Sequence, residues 1–157
     1  MFARRGLIAA LVAGLAGSAL AQGIPAETVS WTVDPVTVTK HGHASVTLHG
    51  SVVPGWHVYA LKQAAEGPTP LLVSVAANDA ATADGAPAGT TPTRIHDPAF
   101  GLETQFYSGP FTLTLPVRFK PKAIAQAIPV DVRFQTCNGK VCEPPKSVRL
   151  SAPVPGK

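Results

Sequence analysis

Short runs of alternating apolar and polar residues, with Pro or Gly at most boundaries between them and little charge, predict an all-β antiparallel sandwich. The 157 residues include 16 Pro and 14 Gly, and 14% are charged against 45% hydrophobic. That apolar share is too high for a disordered chain, so the Pro and Gly residues read as turns between strands.

The chain begins Met1-Phe2-Ala3-Arg4-Arg5-Gly6. An uncharged apolar run follows from Leu7 to Leu20 and leads into Ala19-Leu20-Ala21. A basic start, an apolar stretch and a small-x-small ending form the pattern of a secretory signal peptide. We expect residues 1–21 to be this signal, cleaved after Ala21 on the ordinary export route. The run is shorter than the roughly 20 residues that span a bilayer. No second run of that length follows, so no membrane insertion is expected after cleavage. Loss of Arg4 and Arg5 lowers the formal charge from +4 to +2. The remaining basic residues are scattered, which argues against nucleic acid as a partner. Residues 22–152 are expected to form one domain with its own core. Residues 153–157 are expected to fray as a Pro-rich tail.

Within the domain, period-two runs mark the strands. They are Thr28–Val33, Val36–Thr39, Ala44–Leu48, Trp56–Tyr59 after the Pro54-Gly55 turn, Leu71–Val75, Phe111–Phe119, Val130–Gln135 and Ser147–Leu150. About eight short antiparallel strands at this spacing point to an immunoglobulin-like sandwich. Lys122–Ala127 is the one short stretch compatible with a helix. Ala76–Pro92, rich in Ala, Gly, Thr, Asp and Pro, reads as a flexible surface loop. His96–Pro110 reads as a loop carrying Phe100, Phe106 and Tyr107. It is either a lid over a site or a loop tacked to the core by its aromatics.

Cys137 and Cys142 are the only cysteines. Asn138-Gly139 between them is a strong tight-turn signal, so the two thiols can face each other across a short hairpin. Pro144-Pro145 stops ladder pairing just beyond. This places the pair at the end of a sheet, near solvent. In an exported chain two cysteines usually pair. A loop this short stabilises by only about 2 kcal/mol in the chain-entropy picture, roughly half the figure for a loop near 100 residues. A tight, exposed bond is also open to attack, and Lys140 would favour a thiolate if it came close. The residues alone leave a reactive pair and a structural clip equally open. The C-x4-C spacing and the absence of a βαβ pattern exclude a thioredoxin.

Other chemistries fit less well. His41, His43, His49 and His57 are near one another in sequence. Met1 is the only methionine and leaves with the signal, so soft thioether ligation is absent, and no metal is expected. There is no G-x-S-x-G elbow for a hydrolase. A Cys–His enzyme would need an unpaired thiolate, which the second cysteine opposes.

Several motifs occur together in order. They are Pro54-Gly55-Trp56-His57-Val58-Tyr59, Gly67-Pro68-Thr69-Pro70, His96-Asp97-Pro98-Ala99-Phe100-Gly101, Tyr107-Ser108-Gly109, Leu115-Pro116-Val117, and Phe134-Gln135-Thr136-Cys137 through Cys142-Glu143-Pro144-Pro145. This series resembles the amino-terminal periplasmic domain of the thiol:disulfide interchange protein DsbD, from about Thr28 to Ala152. The cysteine hairpin closed by Pro-Pro is its most specific part.

The resemblance implies an immunoglobulin-like sandwich with a redox-active Cys137–Cys142 pair, in which Cys142 forms the mixed disulfide. It implies a cap loop over the pair, carried here by Asp97, Phe100 and Gly101. Its implied partners are a membrane electron donor of the DsbD/CcdA type and a periplasmic thioredoxin-fold protein, with no cofactor. The cysteine loop is one residue shorter than in well-known members. The acidic residues that can precede the cap phenylalanine are Pro98-Ala99 here, with Asp97 one step further back. An aromatic pair near the cysteines becomes His57 and Tyr59. Period two puts these on one face, where His57 either serves the sulfurs as a proton acceptor or merely replaces a tyrosine at the surface. The expected function is periplasmic thiol–disulfide exchange in trans. The alternative is a non-catalytic interaction module with a structural disulfide.

Overall fold

The computed structural model describes residues 27–156. The expected signal segment 1–21 and its cleavage site lie outside these residues. The described chain is all-β, with one short 3-10 turn at Lys40–Gly42.

Among the described residues thirteen strands form three antiparallel sheets. The largest has the order β1 (Val29–Val33), β3 (His43–Val52), β10 (Pro110–Phe119), β6 (Ala81–Ala83). In the same sheet β2 (Thr37–Val38) pairs with β3, and β7 (Ala88–Gly89) pairs with β10. The second sheet has the order β13 (Lys146–Pro153), β11 (Ala127–Phe134), β5 (Leu72–Val75). The third has the order β12 (Thr136–Cys137), β4 (His57–Tyr59), β9 (Leu102–Tyr107), β8 (Thr93–Asp97).

The alternation that predicts the strands also builds the core, because successive side chains leave a strand on opposite faces. On β3, Ala44, Val46, Leu48 and Val52 are buried, while His43, Ser45, Thr47 and His49 are only half-buried. On β10, Phe111, Leu113, Leu115 and Val117 are buried. From the second sheet, Ile128, Val130 and Val132 join the same cluster with Val73 and Leu71. The expected sandwich is the one found.

Four expectations are corrected. Ala76–Pro92 is not simply a loop, because β6 and β7 lie within it and pair with β10. The pairing comes in two pieces around Pro116, which has no N–H to give; its carbonyl accepts from the Asp84 N–H at 2.9 Å. His96–Pro110 is mostly a hairpin, β8 to β9, with residues 98–101 as its turn. Lys122–Ala127 is not helical. Lys122 takes a φ of 60° and the stretch runs into β11. The tail is tied down further than expected: Pro153 pairs with Ala127, and the Val154 N–H donates to the Gln126 carbonyl at 2.7 Å.

Candidate functional site: the cysteine hairpin

Cys137 ends β12 and Cys142 faces it as an antiparallel bridge pair, with the Cα atoms 4.1 Å apart and the sulfurs bonded. The turn forms as its sequence predicts. The Asn138 N–H donates to the Val141 carbonyl at 3.1 Å. The Asn138 side-chain oxygen accepts from the N–H groups of Lys140 and Val141 at 2.9 and 2.8 Å. This is an Asx turn, in which a side chain supplies the acceptor that a tight reversal lacks. Lys140 is exposed on the turn.

The two sulfur-bearing residues are not equivalent. Cys137 is 1% exposed, which corrects the expectation that the pair as a whole sits near solvent. Cys142 is half-buried. The asymmetry arises because β12 pairs with β4, placing Cys137 opposite His57 in the sheet. Cys142 lies beyond the turn, where Pro144-Pro145 end the pairing.

Above the pair is a polar and aromatic roof. The Tyr59 hydroxyl lies 4.0 Å from the Cys142 sulfur and donates to the Asp97 side chain at 2.8 Å. Asp97 is 4% exposed and uses both carboxyl oxygens. Oδ2 accepts from Tyr59 and, more distantly, from Thr104 at 3.5 Å. Oδ1 accepts from the Ala99 N–H at 2.8 Å. The Asp97 carbonyl accepts from the Gly101 N–H at 2.8 Å, with Gly101 in the left-handed region at φ 68°. Glycine occupies that region without steric cost. One aspartate thus shapes the turn and holds the tyrosine. The turn presents Phe100 edge-on to Tyr59, with ring centroids 5.8 Å apart.

His57 and Tyr59 do share a face, with rings 5.1 Å apart and nearly perpendicular. His57 also packs on Phe106 at 4.8 Å. Its Nε2 is buried without a hydrogen-bond partner. Burial pulls the His57 imidazole below its ordinary range, and the charge of Asp97 opposes this only partly. The ring is therefore neutral at pH 7. Burial, followed by the hydrogen bond to Asp97 and its charge, pushes the Tyr59 hydroxyl far above its ordinary value. Tyr59 thus stays protonated beside the Cys142 sulfur, with its proton given to Asp97.

Beneath the hairpin lies a group that sequence reasoning missed. Glu143, 9% exposed, follows Cys142. Its Oε2 accepts from the hydroxyls of Thr28 at 2.8 Å and Thr136 at 2.7 Å, and its Oε1 accepts from Lys146 Nζ at 2.7 Å. A charged residue locked between Cys and Pro-Pro was the only available signal, because Thr28 is far away in sequence. The other histidines disperse. His43 binds Asp84 at 2.6 Å, and His49 binds Asp34 at 2.9 Å and Thr112 at 3.1 Å. His41 lies in the 3-10 turn.

An asymmetric cysteine pair on this sandwich invites comparison with known families. Residues 25–152 match the family described as "Thiol:disulfide interchange protein DsbD, N-terminal". The chain belongs to that family. Its fold is similar to the DsbD N-terminal domain of Neisseria meningitidis, solved in the reduced form. There the TM-score is 0.52 at 19% identity, covering 77% of this chain and 83% of that one. It is also similar to the N-terminal periplasmic domain of ScsB from Proteus mirabilis, with a TM-score of 0.55 at 16% identity. That match covers 84% of this chain but 49% of the other, so the chain spans about half the length of the ScsB structure. No curated protein sequence matches significantly. DsbD N-terminal domains belong to a thiol–disulfide exchange system, and the all-β sandwich with its disulfide agrees with that family role.

Proposed function

We propose that this DsbD N-terminal family member is a periplasmic electron relay whose Cys137–Cys142 pair shuttles between disulfide and dithiol. The observation that carries the reading is the unequal exposure of the two cysteines under the Tyr59–Asp97–Phe100 roof. A relay needs one sulfur to meet the partner and a sheltered one to finish the exchange.

In the reducing step, the Cys142 thiolate attacks a sulfur of the partner's disulfide. A Cys142–partner bond forms, the partner's own S–S bond breaks, and the released partner sulfur takes up a proton. The Cys137 thiolate then attacks the Cys142 sulfur. The mixed disulfide breaks, the partner leaves as a dithiol, and the pair is oxidised by two electrons. The Tyr59 proton is committed to Asp97, so the hydroxyl meets the Cys142 sulfur with its oxygen and packs over it at 4.0 Å. The cap must move aside for the partner to approach, and Phe100 resting on Tyr59 limits casual access. By family resemblance the partner is a periplasmic thioredoxin-fold protein, and a membrane protein of the DsbD/CcdA type restores the dithiol. Export through a signal peptide at residues 1–21 places the domain where these partners are.

The test is the redox equilibrium of the mature protein with glutathione, read by thiol alkylation and mass. A relay equilibrates while folded, at a potential between about −270 and −120 mV, the span of thioredoxin to DsbA. Cys137→Ser should trap a mixed disulfide with a thioredoxin-fold substrate, and Cys142→Ser should not. A bond that opens only on unfolding, or that lies well below about −300 mV, would make the disulfide a clip and the domain an interaction module.

A further inference from the structure

The hairpin that carries the cysteines is short for what it has to do. Its ladder beyond the bridge pair consists of one bond, from the Glu143 N–H to the Thr136 carbonyl at 2.9 Å. Pro144 and Pro145 have no N–H groups to continue it. The Cys137 arm is held by β4, whereas the Cys142 arm joins it in the ladder only through the bridge pair and this one bond. In the oxidised state the disulfide closes it. In the dithiol state that covalent link is gone, and something else must keep the two Cα atoms near 4.1 Å.

Glu143 is placed to do this. It follows Cys142 directly, and Thr136 precedes Cys137 directly. The Thr136 hydroxyl donates to Glu143 Oε2 at 2.7 Å, so the side chains span the two arms at the step next to the sulfurs, where the ladder fails. The Thr28 hydroxyl donates to the same oxygen at 2.8 Å and lies 3.0 Å from the Thr136 hydroxyl. Thr28 immediately precedes β1, and its carbonyl accepts from the Val53 N–H at 3.1 Å, so this contact anchors the hairpin to the largest sheet. Lys146 Nζ holds the other carboxyl oxygen at 2.7 Å. Burial works against the charge on Glu143. The bonds from Lys146, Thr136 and Thr28 outweigh it and hold the carboxyl below its ordinary value. Four polar groups thus converge beside a disulfide, and the exchange chemistry itself uses none of them.

We propose that Glu143 is a positioning residue for the exchange reaction: with Thr28, Thr136 and Lys146 it clamps the arms of the hairpin so that the dithiol stays arranged for closure. The inference rests on the relay reading for its purpose, though not for its physics. A clamped dithiol has a higher effective concentration of one thiol beside the other. The clamp therefore favours the disulfide and speeds attack by Cys137 on the Cys142 mixed disulfide.

The experiment is a dithiothreitol titration of the full mature protein and its variants, with native folding checked by circular dichroism in both redox states. Glu143→Ala should shift the equilibrium about tenfold toward the dithiol, equivalent to a potential about 30 mV less reducing. Glu143→Gln, which retains an acceptor for one threonine, should recover part of the shift. Thr28→Val changes a residue outside the hairpin and should shift the equilibrium in the same direction by a smaller factor. It also reads the clamp if Glu143→Ala fails to fold. In single-turnover reduction of a thioredoxin-fold substrate, Glu143→Ala should accumulate the mixed disulfide that the parent protein resolves. Equilibrium constants for folded variants within twofold of the parent would overturn the clamp. The two readings fail separately. A pair that ignores thioredoxin-fold substrates but shifts with Glu143→Ala sinks the relay and keeps the clamp. A reactive pair that does not shift sinks the clamp and keeps the relay.

Discussion

The Tyr59 hydroxyl donates to the buried Asp97 carboxyl group at 2.8 Å, and this bond ties β4, which pairs with the Cys137 strand, to the turn at residues 98–101. The same hydroxyl lies 4.0 Å from the Cys142 sulfur. The 98–101 turn and the cysteine pair thus meet at one side chain.

Tyr59→Phe keeps the ring packing against His57 and Phe100 but leaves Asp97 Oδ2 with only the distant Thr104 hydroxyl. A buried acceptor that loses its partner costs about 1–3 kcal/mol. Urea melts of the oxidised protein should show that loss. An unchanged midpoint would mean that water replaces the tyrosine and that the roof is looser than described.

Both tyrosines are pushed above their ordinary value, Tyr107 by burial and Tyr59 by burial followed by its bond to Asp97. The folded state therefore holds these protons longer than the unfolded chain. The sign is that of a raised group: its contribution is complete below the unfolded value of 10.0 and is lost as pH rises toward the folded values. Absorbance of tyrosinate should stay low in the folded protein at pH 10 and rise together with unfolding at higher pH. An early rise from one tyrosine with the fold intact would contradict the placement of Tyr59.

His57 has the opposite sign. Its folded value is depressed below 6.5, chiefly by burial. Its contribution is complete above the unfolded value and is lost as pH falls through the lower folded one. Stability of the parent protein should fall between pH 7 and pH 5 more steeply than that of His57→Phe, which keeps the ring stack without the proton site. Parallel pH profiles would show that His57 is not buried as described.

Phe100→Ala removes an edge-to-face contact with Tyr59. Such contacts are worth about 0.5–1.5 kcal/mol. If the cap opens by that much more easily, exchange of the folded disulfide with glutathione should quicken by between about two- and tenfold. Stopped alkylation time courses would read it, and an unchanged rate would mean that Phe100 does not guard the sulfurs.

Gly50 lies under the Phe111 ring, which is stacked on Tyr107 at 4.4 Å and edge-on to Trp31 at 5.5 Å. A methyl group at position 50 would overlap that ring, which is held on two sides. Gly50→Ala should cost about 1–3 kcal/mol as overpacking. Its effect should appear in stability and leave the redox equilibrium with glutathione unchanged, since Gly50 lies in the largest sheet and the cysteines in another.

The long strands were legible in the sequence because a half-buried strand must alternate: Pro110–Phe119 was read over nearly its whole length, and His43–Val52 over its Ala44–Leu48 half, before Gly50 interrupts the apolar pattern. The cysteine hairpin was legible for a local reason as well: Asn138-Gly139 makes the turn and Pro144-Pro145 end it. The cap residues Asp97, Phe100 and Gly101 entered only through family resemblance, since nothing in their spacing points at a sulfur. The tertiary structure decided what depends on partners far along the chain. Ala81–Ala83 and Ala88–Gly89 have little strand propensity of their own and become strands because β10 offers an edge. Thr93–Asp97 is exposed except at Asp97, so it carries no apolar pattern, and only its pairing with β9 makes it a strand. Tyr59 meets Asp97 across 38 positions, and Glu143 meets Thr28 across 115. Periodicity reports which way a side chain points, whereas the burial of Cys137, the roof above the pair and the clamp below it depend on which distant chain segment is there to meet it.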